Sequence, residues 1–244
     1  MATTRADVIK HVALKMDEVS PDISISDLTI DGSDNNPLYA LIDGLVDAGA
    51  LELFSVAPYW RLPQQDFTGK ALETVGSERI INDGGSTVPQ RKMIRLKVPN
   101  DFLRVAEITH PSFQRPITEV VPEMSEMGKR QHNPFLMAKG ARPVGVMSHG
   151  VWTGGTEQNP TTENCREIDC YSIPSSGALT NLVATYIPKP SMPAPSSATD
   201  IENTIIPAVL IPAMEWIIAA RTFGARGDAN HAAICQQNAQ NLLV

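Results

Sequence analysis

Residues 199–244 read TDIENTIIPAVLIPAMEWIIAARTFGARGDANHAAICQQNAQNLLV, and the fold class turns on them. The pattern predicts two helices joined by a tight break at Gly224 and Gly227. Ile201, Ile205, Val209, Met214, Trp216, Ile217 and Ala220 form a broad apolar face for the first. Ala229, Ala232, Ala233, Ala239 and Leu242 recur along the second at the mixed spacings of close helix packing. Pro207 and Pro212 constrain the first helix, since a proline in a helix interior removes a hydrogen bond and clashes with the preceding turn. Either the helix starts at Pro207 or it kinks at Pro212; a helix from about Asp200 with a kink is the expectation.

Such a helical pair needs further helices to cover it, and the N-terminal part supplies them. Residues 4–19 predict a helix capped by Thr4, with Asp7 in its first turn, where negative charge suits the helix dipole. Val8, Ile9, Val12, Met16 and Val19 share its apolar face, and Pro21 stops it. Residues 22–36 read as a loop punctuated by Asp31-Gly32 and Asn35-Asn36. Pro37 suits the first position of a second helix, with Asn36 as its cap. Leu38, Leu41, Ile42, Leu45, Val46 and Gly49 give it a 3.6-residue stripe that runs to about Phe54, and Pro58 ends it.

The centre of the chain changes period. Residues 59–63 read as extended, and Asn82-Asp83-Gly84 signals a hairpin turn. Residues 93–98 alternate as a half-buried strand does. Residues 102–109, 117–121, 143–148, 166–172 and 180–187 read as further strands. Residues 125–133 make a short helical turn, and a loop at Gly154-Gly155 and Asn159-Pro160 separates two strands. The Pro- and Ser-rich run 188–197 is an extended linker. Strands set between helical ends predict an α+β fold, a helical bundle scaffold with a central, mainly antiparallel β insertion, and not a βαβ sheet. The division is 1–58 helical, 59–188 β-rich, 189–198 linker, and 199–244 helices that complete the bundle.

A net charge of −7 and no dense basic run argue against a dedicated reader of nucleic-acid sequence. Cys165, Cys170 and Cys235 make no paired framework, which suits a reducing cytoplasm. The first residues lack the apolar core of a signal peptide. The apolar run at 205–220 is interrupted by Pro207, Pro212 and Glu215, so no membrane span is expected.

Chemistry is sparse. Among His11, His110, His132, His149 and His231, none stands three or four residues from another, as a zinc site would want. Ser148-His149-Gly150 is not a nucleophile elbow. Cys170 with His149 is a pairing available in most chains. Gly84-Gly85 and Gly154-Gly155 fit neither a phosphate loop nor a dinucleotide fingerprint. The expectation is a protein of packing and assembly, not an enzyme, with no cofactor and no metal. Trp152, flanked by glycines, is the tryptophan expected at a surface. The run from Lys129 to Asn133 is read as a solvated helix face.

The order of elements resembles the head-to-tail adaptor, or connector ring, proteins of tailed bacteriophages, of the podovirus-type or crAss-like kind. The likeness is carried by Val8-Ile9-Lys10 and Met16-Asp17-Glu18 in the first helix, and by Pro37-Leu38, Ile42-Asp43 and Val46-Asp47 in the second. LKVPNDFLRV at 96–105, Arg115-Pro116-Ile117 and KRQHNP at 129–134 continue it. Tyr186-Ile187-Pro188, the run 211–220 and Asp228-Ala229-Asn230 complete it. The resemblance implies a virion protein, made in the host bacterial cytoplasm, that forms a homo-oligomeric ring, commonly of twelve copies. The ring sits beneath the portal protein, meets a downstream tail or nozzle ring, and continues the channel for double-stranded DNA without reading its sequence or touching a membrane. It makes Trp216, Ala220, Ala229 and Ala233 candidates for the subunit interface, and Leu242, Leu243 and Val244 candidates for the portal contact. A cyclic interface must bury one face of each subunit on a different face of its neighbour.

Two other readings stand beside it. A stopper or tail-terminator ring lies on the same axis. A ligand- or glycan-binding β module on a helical scaffold would place Trp152 at its site.

Overall fold

A computed structural model of the chain describes residues 3–19, 37–67, 70–71, 82–83, 86–87, 91–131, 140–156, 159–174, 182–194, 199–202 and 205–243. The architecture is α+β, with the N-terminal and C-terminal helices packed together and a central, mostly antiparallel β part. Two units result: Met1–Pro63 with Lys189–Val244, and Gln64–Pro188.

The helical unit starts with α1 (Arg5–Val19). Thr4 and Asp7 build a reciprocal capping box: the Asp7 amide donates to Thr4 Oγ1 at 3.2 Å, and the Thr4 amide donates to Asp7 Oδ2 at 2.9 Å. Val8, Ile9, Val12, Ala13 and Met16 are buried, the face that the helical period predicts. α2 (Pro37–Val56) begins at its proline and buries Tyr39, Ile42, Val46, Gly49, Ala50, Leu53 and Phe54. Of the expected stripe, Ile42, Val46 and Gly49 are thus buried, while Leu38, Leu41 and Leu45 are half-buried. The caps and loop expected at 20–36 lie outside the described residues. Arg5, itself buried, ties α1 to α2 through Asp43 at 2.7 Å and Asp47 at 3.1 Å.

Residues 59–61 are a turn of 3-10 helix and not extended chain. Pro58, with its fixed φ, leads into the turn and accepts from the Arg61 amide at 3.0 Å. The turn also brings Leu62 into the core.

The two prolines of the C-terminal part do not kink a long helix. Pro207 precedes a 3-10 turn, Ala208–Leu210, and α4 (Ile211–Ala225) starts afresh behind it. Pro212 falls in the first turn of α4, where its missing N–H has no intrahelical partner to lose. Residues 199–202 run non-helical beside the N-terminus, where the Ile201 amide donates to the Thr3 carbonyl at 2.9 Å. Ile201 is thus buried outside any helix, and Val209 is 65% exposed on its turn.

α4 is the central helix and packs on α1, on α2 and on α5 (Ala229–Leu243). Ile211, Ala213, Met214, Ile217, Ile218, Ala219, Ala220 and Phe223 are all buried. Residues Ala208–Ala225 are long and apolar enough to cross a membrane by composition alone, but 61% of that stretch is buried in the protein, so its apolarity is that of a core helix. Gly49 lets α2 approach closely, since a Cβ there would collide with the Ile218 side chain. One acid lies inside this core. Glu215 is 3% exposed and meets His11 Nδ1 and Lys15 Nζ, each at 2.8 Å. Both partners come from one turn of α1, so the pair fixes how α1 lies on α4.

Among the described residues the β unit holds three sheets. β1 (Gln65–Asp66), β10 (Val183–Pro188) and β6 (Phe102–Thr109) form one, in that order. β2 (Lys70–Ala71), β5 (Arg91–Lys97), β9 (Asn159–Pro174), β8 (Gly145–Thr156) and β7 (Val120–Pro122) form the second. β3 (Asn82–Asp83) and β4 (Ser86–Thr87) pair as the expected hairpin. Among the described strands all pairings are antiparallel except that of β7 with β8. Ile94, Leu96, Ile168 and Cys170 of the larger sheet share a buried cluster with Phe102, Val105, Ile108 and Tyr186 of the smaller. The alternation predicted for 93–98 holds: Ile94, Leu96 and Val98 point into this cluster while Arg95 and Lys97 do not.

Two expectations change in this unit. Residues 117–121 are not one strand: Ile117 makes a single antiparallel bridge to Ile108, and β7 then pairs in parallel with β8. Gly154, Gly155, Asn159 and Pro160 form no loop but continue the β8–β9 ladder, which runs to Thr156 opposite Asn159. An antiparallel ladder propagates by adding pairs to those already made, and its register here is set by the core pairs of Ile168 and Cys170. Glycine weakens a strand without ending it. α3 (Glu126–Gln131) lies between β7 and β8 in sequence, and Ser125 Oγ accepts from the Gly128 amide at its start.

Candidate functional site

The junction between α4 and α5 is a pair of interlocking caps. Gly227 has φ +80°, a conformation open to glycine and strained for other residues. The Asp228 amide donates to the Phe223 carbonyl and the Gly227 amide to the Gly224 carbonyl, both at 3.0 Å, which is a Schellman ending. Asp228 then caps α5: its Oδ1 accepts from the His231 amide at 3.1 Å. The His231 ring lies against the other carboxylate oxygen and, 5.3 Å between centroids, against Phe223. These hydrogen bonds hold the Asp228 carboxyl below the usual aspartate range. The break expected at two glycines is thus made by Gly227 alone, and Gly224 is helical.

This junction fixes which side of α5 faces α4. Cys235 and Ala239 are buried, with His231, Ala232, Asn238 and Leu243 at the margin. The remaining side is open. Ala229 and Ala233 lie on it and are exposed, whereas Ala220 is buried inside α4 and reaches no surface. Trp216 is half-buried, with Lys15 Nζ 5.4 Å above its ring. Leu242 is exposed and Leu243 partly so, while Val244 lies outside the described residues.

Beside the open side of α5 runs an apolar groove of ≈ 310 Å³. Glu52 and Val56 of α2, then Pro58, form one wall; Gln236 and Leu243 of α5 form the other, and buried Ile217 lies at its base. Glu52 is bound by Arg221 Nε at 2.6 Å, so the charge at its edge is matched. Val56 is 56% exposed, which extends the apolar lining outward. The sequence stripe on α2 ran to about Phe54, and the groove's α2 wall takes Glu52 from within that span and Val56 from beyond it. The only sequence sign of it was an apolar residue, Val56, beyond the end of the buried repeat.

The β unit holds a second cluster, polar and enclosed. Arg95 on β5 stands opposite Asp169 on β9 and binds it with two nitrogens, at 2.8 and 3.1 Å. Glu167 Oε2 lies 3.0 Å from Arg95 Nε and forms an ion pair with it. Ser148 and Tyr171 reach Asp169 more loosely, at 3.4 Å each. Glu167 and Asp169 are each 2% exposed, and burial beside Asp169 pushes the Tyr171 hydroxyl well above its ordinary pKa. Gly150 has no side chain because the Glu167 carboxylate occupies that space. The arrangement is a lock of two acids on one arginine across β5, β9 and β8, on the face of the sheet opposite Ile168 and Cys170. Glu167 and Asp169, two positions apart on β9, thus come together around an arginine.

The other singled-out residues are dispersed. Cys170 is fully buried, and desolvation pushes its thiol up to about 12, while His149 is exposed and paired with Arg166 across the ladder. Burial likewise raises Cys235 to about 11. Trp152 lies within β8 opposite Glu163, in a strand and not in a loop. Lys129 and Arg130 are exposed on α3, where Arg130 pairs with Glu126; His132 and Asn133 lie outside the described residues. Among the described residues no group of three or more His, Cys, Asp or Glu is placed to hold a metal ion. The chain matches no protein-family model and no curated protein sequence.

Proposed function

We propose that this protein is a structural ring subunit of a tailed phage virion, lying beneath the portal and continuing the channel for double-stranded DNA between head and tail. The observation that carries the reading is the order of elements. Both chain ends meet in one helical unit, and the chain between them makes a separate β unit. That order is what the likeness to connector rings rests on, and it suits a subunit that must engage two different partners along one axis. The bundle also leaves an apolar groove and several large apolar side chains uncovered, among them Val56 and Leu242. Such surface is common where subunits meet.

In this reading the subunit contributes shape and surface. A closed ring requires a heterologous interface, in which different faces of neighbouring copies meet. The net charge of −7 suits passage of DNA past a wall that does not hold it. The end of α5, at Leu242 and Leu243, is the proposed portal contact.

The test is electron microscopy of virions with an antibody or tag on this chain, combined with co-purification of the portal protein. Label at the head–tail junction and a portal complex are expected. Label on the capsid shell, on fibres or absent from the particle would overturn the reading.

A further inference from the structure

We infer that the outward face of α5, with the groove beside it, is a self-association surface whose occupant is a second copy of this chain. The observation is one of charge. α5 has 15 residues, ANHAAICQQNAQNLL, and none is Asp, Glu, Lys or Arg. α1, of the same 15-residue length, carries Arg5, Asp7, Lys10, Lys15, Asp17 and Glu18. A helix with one face in water ordinarily fills that face with charge, and interface centres are where charge is depleted. Here Ala233, Gln236, Gln237, Gln240 and Asn241 are all exposed, and Ile234 among them is 49% exposed.

The groove continues the same surface. Glu52 supplies its charge on the α2 side, and Arg221 neutralises it. Val56, one turn further along α2, is exposed beside it. The result is a continuous neutral strip, part amide and part apolar, on a molecule with a net charge of −7.

That contrast selects the occupant. Two copies of a −7 chain repel one another, and like charges placed face to face are costly. They approach most readily where neither presents charge. A strongly basic partner would be drawn to the acidic surface instead, and this strip offers it no counter-charge. Exposed glutamine and asparagine amides both donate and accept, so the same chemistry is complementary to itself. The geometry also sets a size. A 15-residue helix is roughly 22 Å long, while a stable interface buries about 800 Å² on each partner. One helix face falls short of that, so the groove and its α2 rim must take part, with an apolar side chain of the neighbour seated above Ile217.

The inference rests on the ring reading only in expecting more than two copies; the choice of a second copy is made by charge. The test uses the full chain. Light scattering after size exclusion over a concentration series should show self-association, and Ile234→Glu with Gln237→Glu should raise its dissociation constant at least tenfold. Both positions are exposed, and circular dichroism should show the fold unchanged. A photo-crosslinker at Gln240 should give copy-to-copy adducts in the otherwise unaltered chain, which keeps the test informative if the double variant misfolds. A chain that stays monomeric, an assembly indifferent to the added charges, or adducts formed with the portal protein alone would each overturn the proposal. Assembly that persists with charges on α5 removes this face and leaves the ring reading standing. Self-association through α5 in a protein found away from the head–tail junction does the reverse.

Discussion

Gly224 and Gly227 lie three residues apart and serve opposite ends. Gly227 holds φ +80° with open space around it, so a Cβ there meets a conformational cost and no steric one. Gly227→Ala should destabilise the protein by about 1 kcal/mol. Gly224 is helical with equal room, and Gly224→Ala should stabilise by about 0.5–1 kcal/mol. Denaturant melts of the two variants should move in opposite directions. Asp7 makes a pH-dependent contribution. Its hydrogen bonds with Thr4 lower its pKa in the folded state. That stabilisation is fully present above the ordinary aspartate value and is lost as pH falls through the lower folded value, below about pH 4. The advantage of wild type over Asp7→Ala in thermal midpoint should therefore shrink on acidification; a constant difference would show that the carboxylate is not its source. Cys170 and Cys235 are buried, and desolvation keeps both thiols protonated near neutral pH. In a Cys165→Ser background, a thiol reagent should label native protein slowly and unfolded protein at once.

Individual elements differ in how much of each is supported by neighbours. β9 is flanked on both sides from Glu167 to Cys170, with β5 on one edge and β8 on the other. Beyond that point, residues 150–156 and 159–165 pair only with each other among the described strands. A two-stranded ribbon is marginal in water, because each strand has one open edge. Amide hydrogens in the ribbon should exchange at least tenfold faster than those of 167–170, as hydrogen exchange read by mass spectrometry would show. Equal protection would mean that something else covers the ribbon. The helical elements show the same dependence on context. The proline that would break α4 in its interior is harmless in its first turn, and the apolar run before it ends in a 3-10 turn, Ala208–Leu210. Local propensity marked Pro207 and Pro212 as obstacles, and only the start of α4 at Ile211 shows why neither is one.

In the whole molecule, α4 is the element the helical unit cannot lose. Both α1 and α2 pack on it. A chain ended at Pro188 should lose the cooperative helical melt followed by circular dichroism, because α1 and α2 then lose the helix they pack on. A truncated chain with an intact melt would place the core elsewhere. The sequence alone was enough for the α+β class, the helices at both ends, the strand alternation at 93–98 and the cap at Thr4. Each depends on residues within a few positions of one another, where periodicity and hydrogen-bond reach are read directly. Tertiary structure alone decided the rest. Arg95 meets Asp169 only through a register that spans 74 residues, and Glu215 meets His11 across 204. The groove exists only where α2, α4 and α5 converge. The same Ala spacing on α5 that predicts packing leaves Ala233 in solvent and Ala239 in the core. Spacing tells which residues share a helix face, but which face is buried is settled by the elements that pack against it, and those are distant in the chain.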